Sequence, residues 1–286
     1  MVGDTQHIVS YFDQHAEKRD YWKRRNWYYH AVIEKLLRFF IPPGSSVLDV
    51  GCGMGDTLAA LRPSRGVGVD ISSRMVSIAR SNYAAYEWKV ENAETLALNE
   101  KFEYIIVSDL IGFLDDIENT FHALARVSNE QTRIIVTYYN YLWEPVLRAA
   151  EAVGLKARLP VQNWISSHDV DNLLHLTGFE VIKSGRKMLI PFYIPLVSAF
   201  FNTVVANLPL FSRLGLIQYA VARVVPIGRK EYSVSIIIPA RNEMFLAKTI
   251  ENILANIEAD TEVIVVLDGK WSEPPIPQND SVNIIY

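Results

Sequence analysis

The sequence has almost no cysteine: Cys52 is the single thiol among 286 residues. That excludes an internal disulfide framework and a cysteine-rich zinc site, and it makes a reducing, cytoplasmic setting the default expectation. An excess of positive charge is missing too, because 28 Lys and Arg face 32 Asp and Glu for a formal net charge of −4. Bulk electrostatic attraction to nucleic acid is therefore excluded as a partner class. The N-terminal MVGDTQHIVSYFDQHAEK has no apolar core of the secretory type. A G-x-x-x-x-G-K-[ST] phosphate loop, internal repeats and low-complexity tracts are absent as well. What remains is 50% hydrophobic and 21% charged. That is the composition of a folded chain with room for one large or two modest domains.

Charge disappears altogether from Met188 to Ser212, where MLIPFYIPLVSAFFNTVVANLPLFS runs for 25 residues without Asp, Glu, Lys or Arg. By length and apolarity the stretch could cross a bilayer. Pro191, Pro195 and Pro209, with Asn202 and Asn207, break up a continuous spanning helix. Three readings stay open: peripheral membrane contact, a hydrophobic cap over an acceptor, and a buried helical pair.

Helical periodicity with many aromatics covers residues 8–40, until Pro42-Pro43-Gly44 stops it, so residues 1–42 read as an N-terminal helical cap. Short apolar runs then alternate with helical segments: SSVLDV, DTLAALRPS, GVGVDIS, SRMVSIARSNYAAY, EWKV, FEYIIVSDL, ENTFHALARVS and QTRIIVTYYN. Strands alternating with helices of about ten residues imply βαβ units and a parallel sheet with helices on both faces. A helix at SSHDVDNLL and strands at FEVIKS and QYAVARVVP follow. After the charged break Gly228-Arg229-Lys230-Glu231, SVSIIIPARNE, AKTIENILANIE and TEVIVVLDG restart the rhythm. The expected division is 1–228, with an apolar insertion at 188–216, and a partial second α/β unit at 229–286.

Val47-Leu48-Asp49-Val50-Gly51-Cys52-Gly53-Met54-Gly55 carries the strongest chemical signal. Glycines after a buried strand let the backbone turn sharply and approach a ligand closely. Asp70 ends the next strand, where an acid can accept two hydrogen bonds from ribose hydroxyls. The glycine spacing is one residue shorter than the dinucleotide fingerprint, so the pair of features points to another nucleoside-containing cofactor.

VLDVGCGMG, GVGVDIS, ENAETL and YIIVSDL, in that order, resemble the successive motifs of class I S-adenosylmethionine-dependent methyltransferases. The resemblance covers roughly residues 30–185 and implies a Rossmann-like sheet and S-adenosyl-L-methionine as cofactor. It places Asp49, Gly51, Cys52, Gly53 and Gly55 at the methionine end. It puts Asp70 on the ribose, with Ile71, Asn92 and Ala93 around the adenine. Ser108, Asp109 and Leu110 would lie near the reactive methyl. The chain departs from the Glu-His pair common after the fourth strand, having Asp115-Asp116 instead. Catalytic candidates are therefore limited to Asp115 and Asp116, which also suit the start of a helix, and His168, which also suits a surface or cap. Asp169 and Asp171 read as an acidic first helical turn rather than a metal site, and no metal is expected. The basic aromatic helix with Lys18-Arg19 and Lys23-Arg24-Arg25 reads as packing with partial lid duty. If the last two strands pair antiparallel, as in that family, a membrane span between them would separate the pair, so in-plane contact ranks above a span.

SVSIIIPARNE, LAKTIENIL and EVIVVLDG resemble the start of a family 2, GT-A type glycosyltransferase. This implies nucleotide-sugar contacts at Pro239, Arg241, Glu243 and Asp268, although Leu267 stands where the first acid of a pair is common. The metal and base regions of that family would lie beyond Tyr286, so the segment is expected to be incomplete and inactive alone. The whole reads as a methyltransferase acting on a small-molecule or glycan-related acceptor. The alternatives are a non-catalytic module organising a fused glycosyltransferase, and a lipid or quinone methyltransferase using the apolar insertion.

Overall fold

The computed structural model describes residues 5–160, 162–225, 234–241, 243–257, 261–268, 276 and 282–285. The chain falls into two compact units, Met1–Val225 and Pro226–Tyr286.

The first unit begins with α1 (Thr5–Arg25) and α2 (Trp27–Phe40). One continuous helix was expected here. Asn26 separates the two by turning its side-chain amide back onto the Trp22 carbonyl at 3.1 Å, a local bond that competes with helix propagation. The alternation then runs β1 (Ser46–Val50), α3 (Asp56–Leu61), β2 (Arg65–Asp70), α4 (Ser73–Asn82), β3 (Glu87–Val90), β4 (Tyr104–Ser108), α5 (Ile117–Arg126) and β5 (Arg133–Tyr139). The unit closes with α6 (Glu144–Ala152), α7 (Ser167–Leu176), β6 (Phe179–Lys187), α8 (Val197–Thr203), α9 (Pro209–Ser212) and β7 (Ile217–Val224). Helix α6 was not foreseen, although Glu144 and Pro145 at its start and Gly154 just past its end are helix signals.

These strands form one seven-stranded sheet in the order β3-β2-β1-β4-β5-β7-β6. β1 to β5 are mutually parallel, whereas β7 runs antiparallel between β5 and β6. Alternate residues go to opposite faces. Leu48, Val50, Ile105, Val107, Ile134 and Val136 pack with Phe121 and Leu124 of α5 and with Val170 and Leu174 of α7. Val47, Ile106 and Ile135 pack on the other face with Ile33 and Leu37 of α2, Leu58 of α3 and Val76 of α4. Each such side chain, fully buried, contributes about 1.5–3 kcal/mol. The sheet order reverses between β1 and β4, and ligands of open parallel sheets bind in the crevice at such a switch point. The glycine turn leaves β1 there, and Asp109 leaves β4 there.

The apolar insertion does not form a continuous span. Between β6 and β7 the chain makes α8, a 3-10 turn at Val205–Asn207 and α9. Among the described residues no helix is long and apolar enough to cross a membrane. Asn202 pins the insertion: its amide oxygen accepts from Leu189 and Ile190 N–H at 2.7 and 2.9 Å, and its amide nitrogen donates to the Tyr28 hydroxyl at 3.1 Å.

The second unit contains β8 (Val234–Ala240), α10 (Leu246–Leu254), β9 (Thr261–Leu267) and β10 (Val282–Ile285). They form a parallel sheet in the order β10-β9-β8, packed through Ile250, Val263, Val265 and Leu267.

Candidate functional site

Three glycines shape the turn after β1: Gly51, Gly53 and Gly55 have φ of 75°, 54° and 83°, a region in which residues with a Cβ are strained. A Cβ on Gly51 would meet the Leu110 side chain at 2.9 Å, and one on Gly55 would meet the Trp88 ring at 2.4 Å. The turn is held against β2 because Gly51 and Cys52 both donate their N–H to the Val69 carbonyl, at 2.8 and 3.0 Å. Gly53 donates to Asp70 Oδ2 at 2.8 Å, while Ser72 N–H donates to Asp70 Oδ1 at 2.9 Å. Asp70 is thus aimed by backbone donors into the crevice and keeps lone pairs for a ligand.

The crevice has about 80 Å³ of cavity space and opens to solvent at its mouth. Gly51, Gly53, Asp70, Ile71, Asn92, Ala93, Asp109 and Leu110 all line it. Asp49, Cys52 and Gly55 do not. Asp49 lies beneath the turn, 2% exposed, with Oδ2 lacking any partner. Burial, with the Asp70 charge second, pushes its carboxyl up to about 7. Cys52 is buried in the core. Asn92 spends its side-chain oxygen on the Glu94 N–H at 3.0 Å, which leaves its amide N–H₂ and the backbone of the loop for recognition.

Asp109 is the most unusual residue here. Its φ is 54°, a conformation that costs a non-glycine residue about 1–3 kcal/mol and tends to occur at functional sites. The tie between its N–H and the Thr137 carbonyl, 2.9 Å, holds the turn. Tyr29 on α2 donates its hydroxyl to Asp109 Oδ2 at 2.7 Å, whereas Oδ1 is buried without a partner. Burial, only partly offset by the Tyr29 hydrogen bond, raises the carboxyl to about 6. Asp109 also lines a second, much smaller space of about 20 Å³, walled by Tyr139, Gln162, Asn163 and Trp164 among others. One residue therefore borders both spaces.

Helix α1 roofs the first cavity with Thr5, Ile8, Phe12 and Arg19. Sequence reasoning identified the basic aromatic helix but not which cation points inward. Arg19 Nε lies 4.0 Å from the position a Cβ on Gly53 would take. Asp13 anchors the roof by accepting from the Ser72 hydroxyl at 2.6 Å.

None of the three catalytic candidates lines either cavity, although Asp115 bonds to a residue that does. Asp115 accepts from the Thr5 hydroxyl at 2.6 Å. Asp116 caps α5, accepting from Asn119 N–H at 2.8 Å. His168 is exposed in the first turn of α7, where Asp169 completes a capping box with Ser166. Within the second unit, Pro239 lies in β8 opposite Val266, Arg241 Nε stands 3.5 Å from Asp268 Oδ2, and the Glu243 carbonyl accepts from Leu246 N–H at the start of α10.

Comparison with known proteins agrees with this architecture. An O-methyltransferase of Pyrenophora dematioidea is 26% identical over 163 residues, 53% of this chain and 60% of that protein. A demethylmenaquinone methyltransferase of Tropheryma whipplei is 28% identical over 106 residues, 35% of this chain and 44% of that protein. The chain thus spans less than two thirds of these curated relatives. Among solved structures, a Haloferax volcanii complex of the Trm112 methyltransferase activator with a putative methyltransferase superposes with a TM-score of 0.59 at 19% identity, covering 78% of this chain and 100% of that one. Magnesium protoporphyrin IX methyltransferase from Synechocystis, crystallised with bound SAH, gives 0.53 at 17% identity, covering 78% and 100%. These structures share the Rossmann-like fold. The family described as "Methyltransferase domain" matches residues 21–184, more than half of the sequence, and the chain belongs to it.

Proposed function

We propose that the chain is an S-adenosylmethionine-dependent methyltransferase whose acceptor reaches the crevice beside Asp109 and gives up its proton to that carboxylate. The residues present fit the cofactor. The crevice offers the Asp70 carboxylate for two ribose hydroxyls, the Asn92–Ala93 loop for an adenine edge, and the Arg19 cation for a carboxylate. Gly53 leaves open space beside Arg19 that a Cβ would fill, while Gly51 makes room for Leu110. When bound, the cofactor supplies an already activated methyl group, so the protein's part is alignment, exclusion of water and proton management.

The observation that carries the reading is Asp109, which borders both cavities and keeps Oδ1 buried outside the bond to Tyr29. Tyr29 orients the other oxygen, and a carboxyl near 6 is mostly ionised at neutral pH yet basic enough to receive a proton. The acceptor is a small molecule with an ionisable hydroxyl or amine. A glycan-related acceptor is a narrower form of the same reading. Asp109→Asn should lower S-adenosylhomocysteine production from a responsive acceptor about 10²–10⁴-fold. In the wild type, the rate should rise as pH passes through about 6, where Asp109 ionises. Full activity in the variant with an unchanged pH profile would overturn the role.

A second reading applies to residues 226–286 by themselves, as the nucleotide-binding start of a GT-A glycosyltransferase. It is favoured by Arg241 and Asp268 at adjacent strand ends. Calorimetric titration with uridine diphosphate tests it, and absence of heat counts against it.

A further inference from the structure

The surface formed by the insertion before β7 is built in the opposite sense from an ordinary soluble cap. Two of its polar side chains, Ser198 and Asn202, are turned inward, whereas Thr203 and Asn207 stay at the surface with their side chains bonded to the Ala199 and Thr203 carbonyls. Ser198 is fully buried, accepting from Ile194 N–H at 2.7 Å and donating to the Phe192 carbonyl at 2.8 Å. Asn202 closes the neighbouring backbone in the same way. Its apolar side chains point outward: Phe192, Leu196 and Phe200 are 62%, 87% and 53% exposed. Trp27 on α2 extends the patch, stacked at a tilt on Tyr193 with centroids 5.4 Å apart. Exposure of this extent needs a counterpart, because water does not stabilise it.

The charge pattern says which counterpart. Residues 181–225 contain no Asp or Glu, but they contain Lys183, Arg186, Lys187, Arg213 and Arg223. Arg223 is paired with Glu180, just before this stretch, which leaves Lys183 and Arg213 as its exposed cations. Outward aromatic and aliphatic side chains in a segment of this charge sign match the boundary between lipid headgroups and acyl chains. A polar protein partner would find few free donors here, because Thr203 and Asn207 bond to the Ala199 and Thr203 carbonyls. The helices are of 7 and 4 residues, so the contact lies in the plane of the membrane rather than across it.

We propose that this face docks on an anionic phospholipid bilayer, with Phe192, Leu196 and Phe200 entering the interface and Lys183 and Arg213 meeting phosphates. The test is flotation of the full chain with phosphatidylcholine vesicles with and without about 30% phosphatidylglycerol. The expected result is flotation with the anionic vesicles, weakened by salt. The double variant Leu196→Asp, Phe200→Asp should lose about tenfold or more of the bound fraction at an unchanged melting temperature. Should that variant fail to fold, Arg213→Glu must weaken anionic binding several-fold instead. Three results would overturn the proposal: no flotation with either vesicle, equal flotation of the folded variants, or a dimer that the double variant dissolves while vesicle binding is absent.

Discussion

Asp109 and Arg19 illustrate how far single residues can be read in advance. Asp70 and the glycines belong to a contiguous strand–turn–strand, so their chemistry is visible in local sequence. Asp109 is visible as the end of β4, but its strained φ of 54° and its bond to Tyr29, 80 positions away, are not. Arg19 depends on how α1 crosses the sheet, and any of several neighbouring cations fits the sequence equally well. If Arg19 holds a carboxylate in the crevice, Arg19→Ala should weaken S-adenosylhomocysteine binding about tenfold, as loss of one charge-assisted hydrogen bond does. Arg19→Lys should recover only part of it, since a point charge cannot form the planar fork. Equal affinity of all three proteins would remove Arg19 from the site.

At the scale of elements, the sheet strands were the most legible because both faces are covered and their apolar runs are continuous. The break between α1 and α2 was less so, since Asn26 acts through one side-chain bond rather than through periodicity. Helix α1 is also the least embedded of the long elements, with only Ile8 and Ala16 buried. Few buried contacts mean a low local opening free energy. A ligand beneath α1 should therefore slow its amide exchange strongly, while β1 and β4, already protected, change little. Hydrogen-exchange mass spectrometry with and without S-adenosylhomocysteine checks this. Unchanged exchange in α1 would show that it is a fixed wall and not a cover.

For the molecule as a whole, the site concentrates acid where burial resists ionisation. Asp49 is raised to about 7 and Asp109 to about 6, against about 3.9 in an unfolded chain. Between those values the folded state holds more protons than the unfolded one, so this contribution to stability is present at acid pH and lost as pH rises toward 7. Asp49→Asn removes the larger part of it. The melting-temperature advantage of that variant should grow by about 2–5 °C from pH 5 to pH 8. A constant difference would place the Asp49 charge in a better-solvated setting than its burial indicates. The sheet order and its switch point follow from the βαβ rhythm of the sequence. The inverted polarity of the insertion does not, because composition alone does not tell which side of a short helix meets solvent.

The central claim is that the crevice beneath the glycine turn takes an S-adenosyl nucleoside through Asp70. Calorimetric titration of S-adenosylhomocysteine into the wild type and into Asp70→Ala tests it most directly. The account predicts one-site binding to the wild type and a loss of about 1.5–3 kcal/mol in the variant, roughly ten- to 150-fold in affinity. No heat with the wild type, or the same affinity in both proteins, would contradict it.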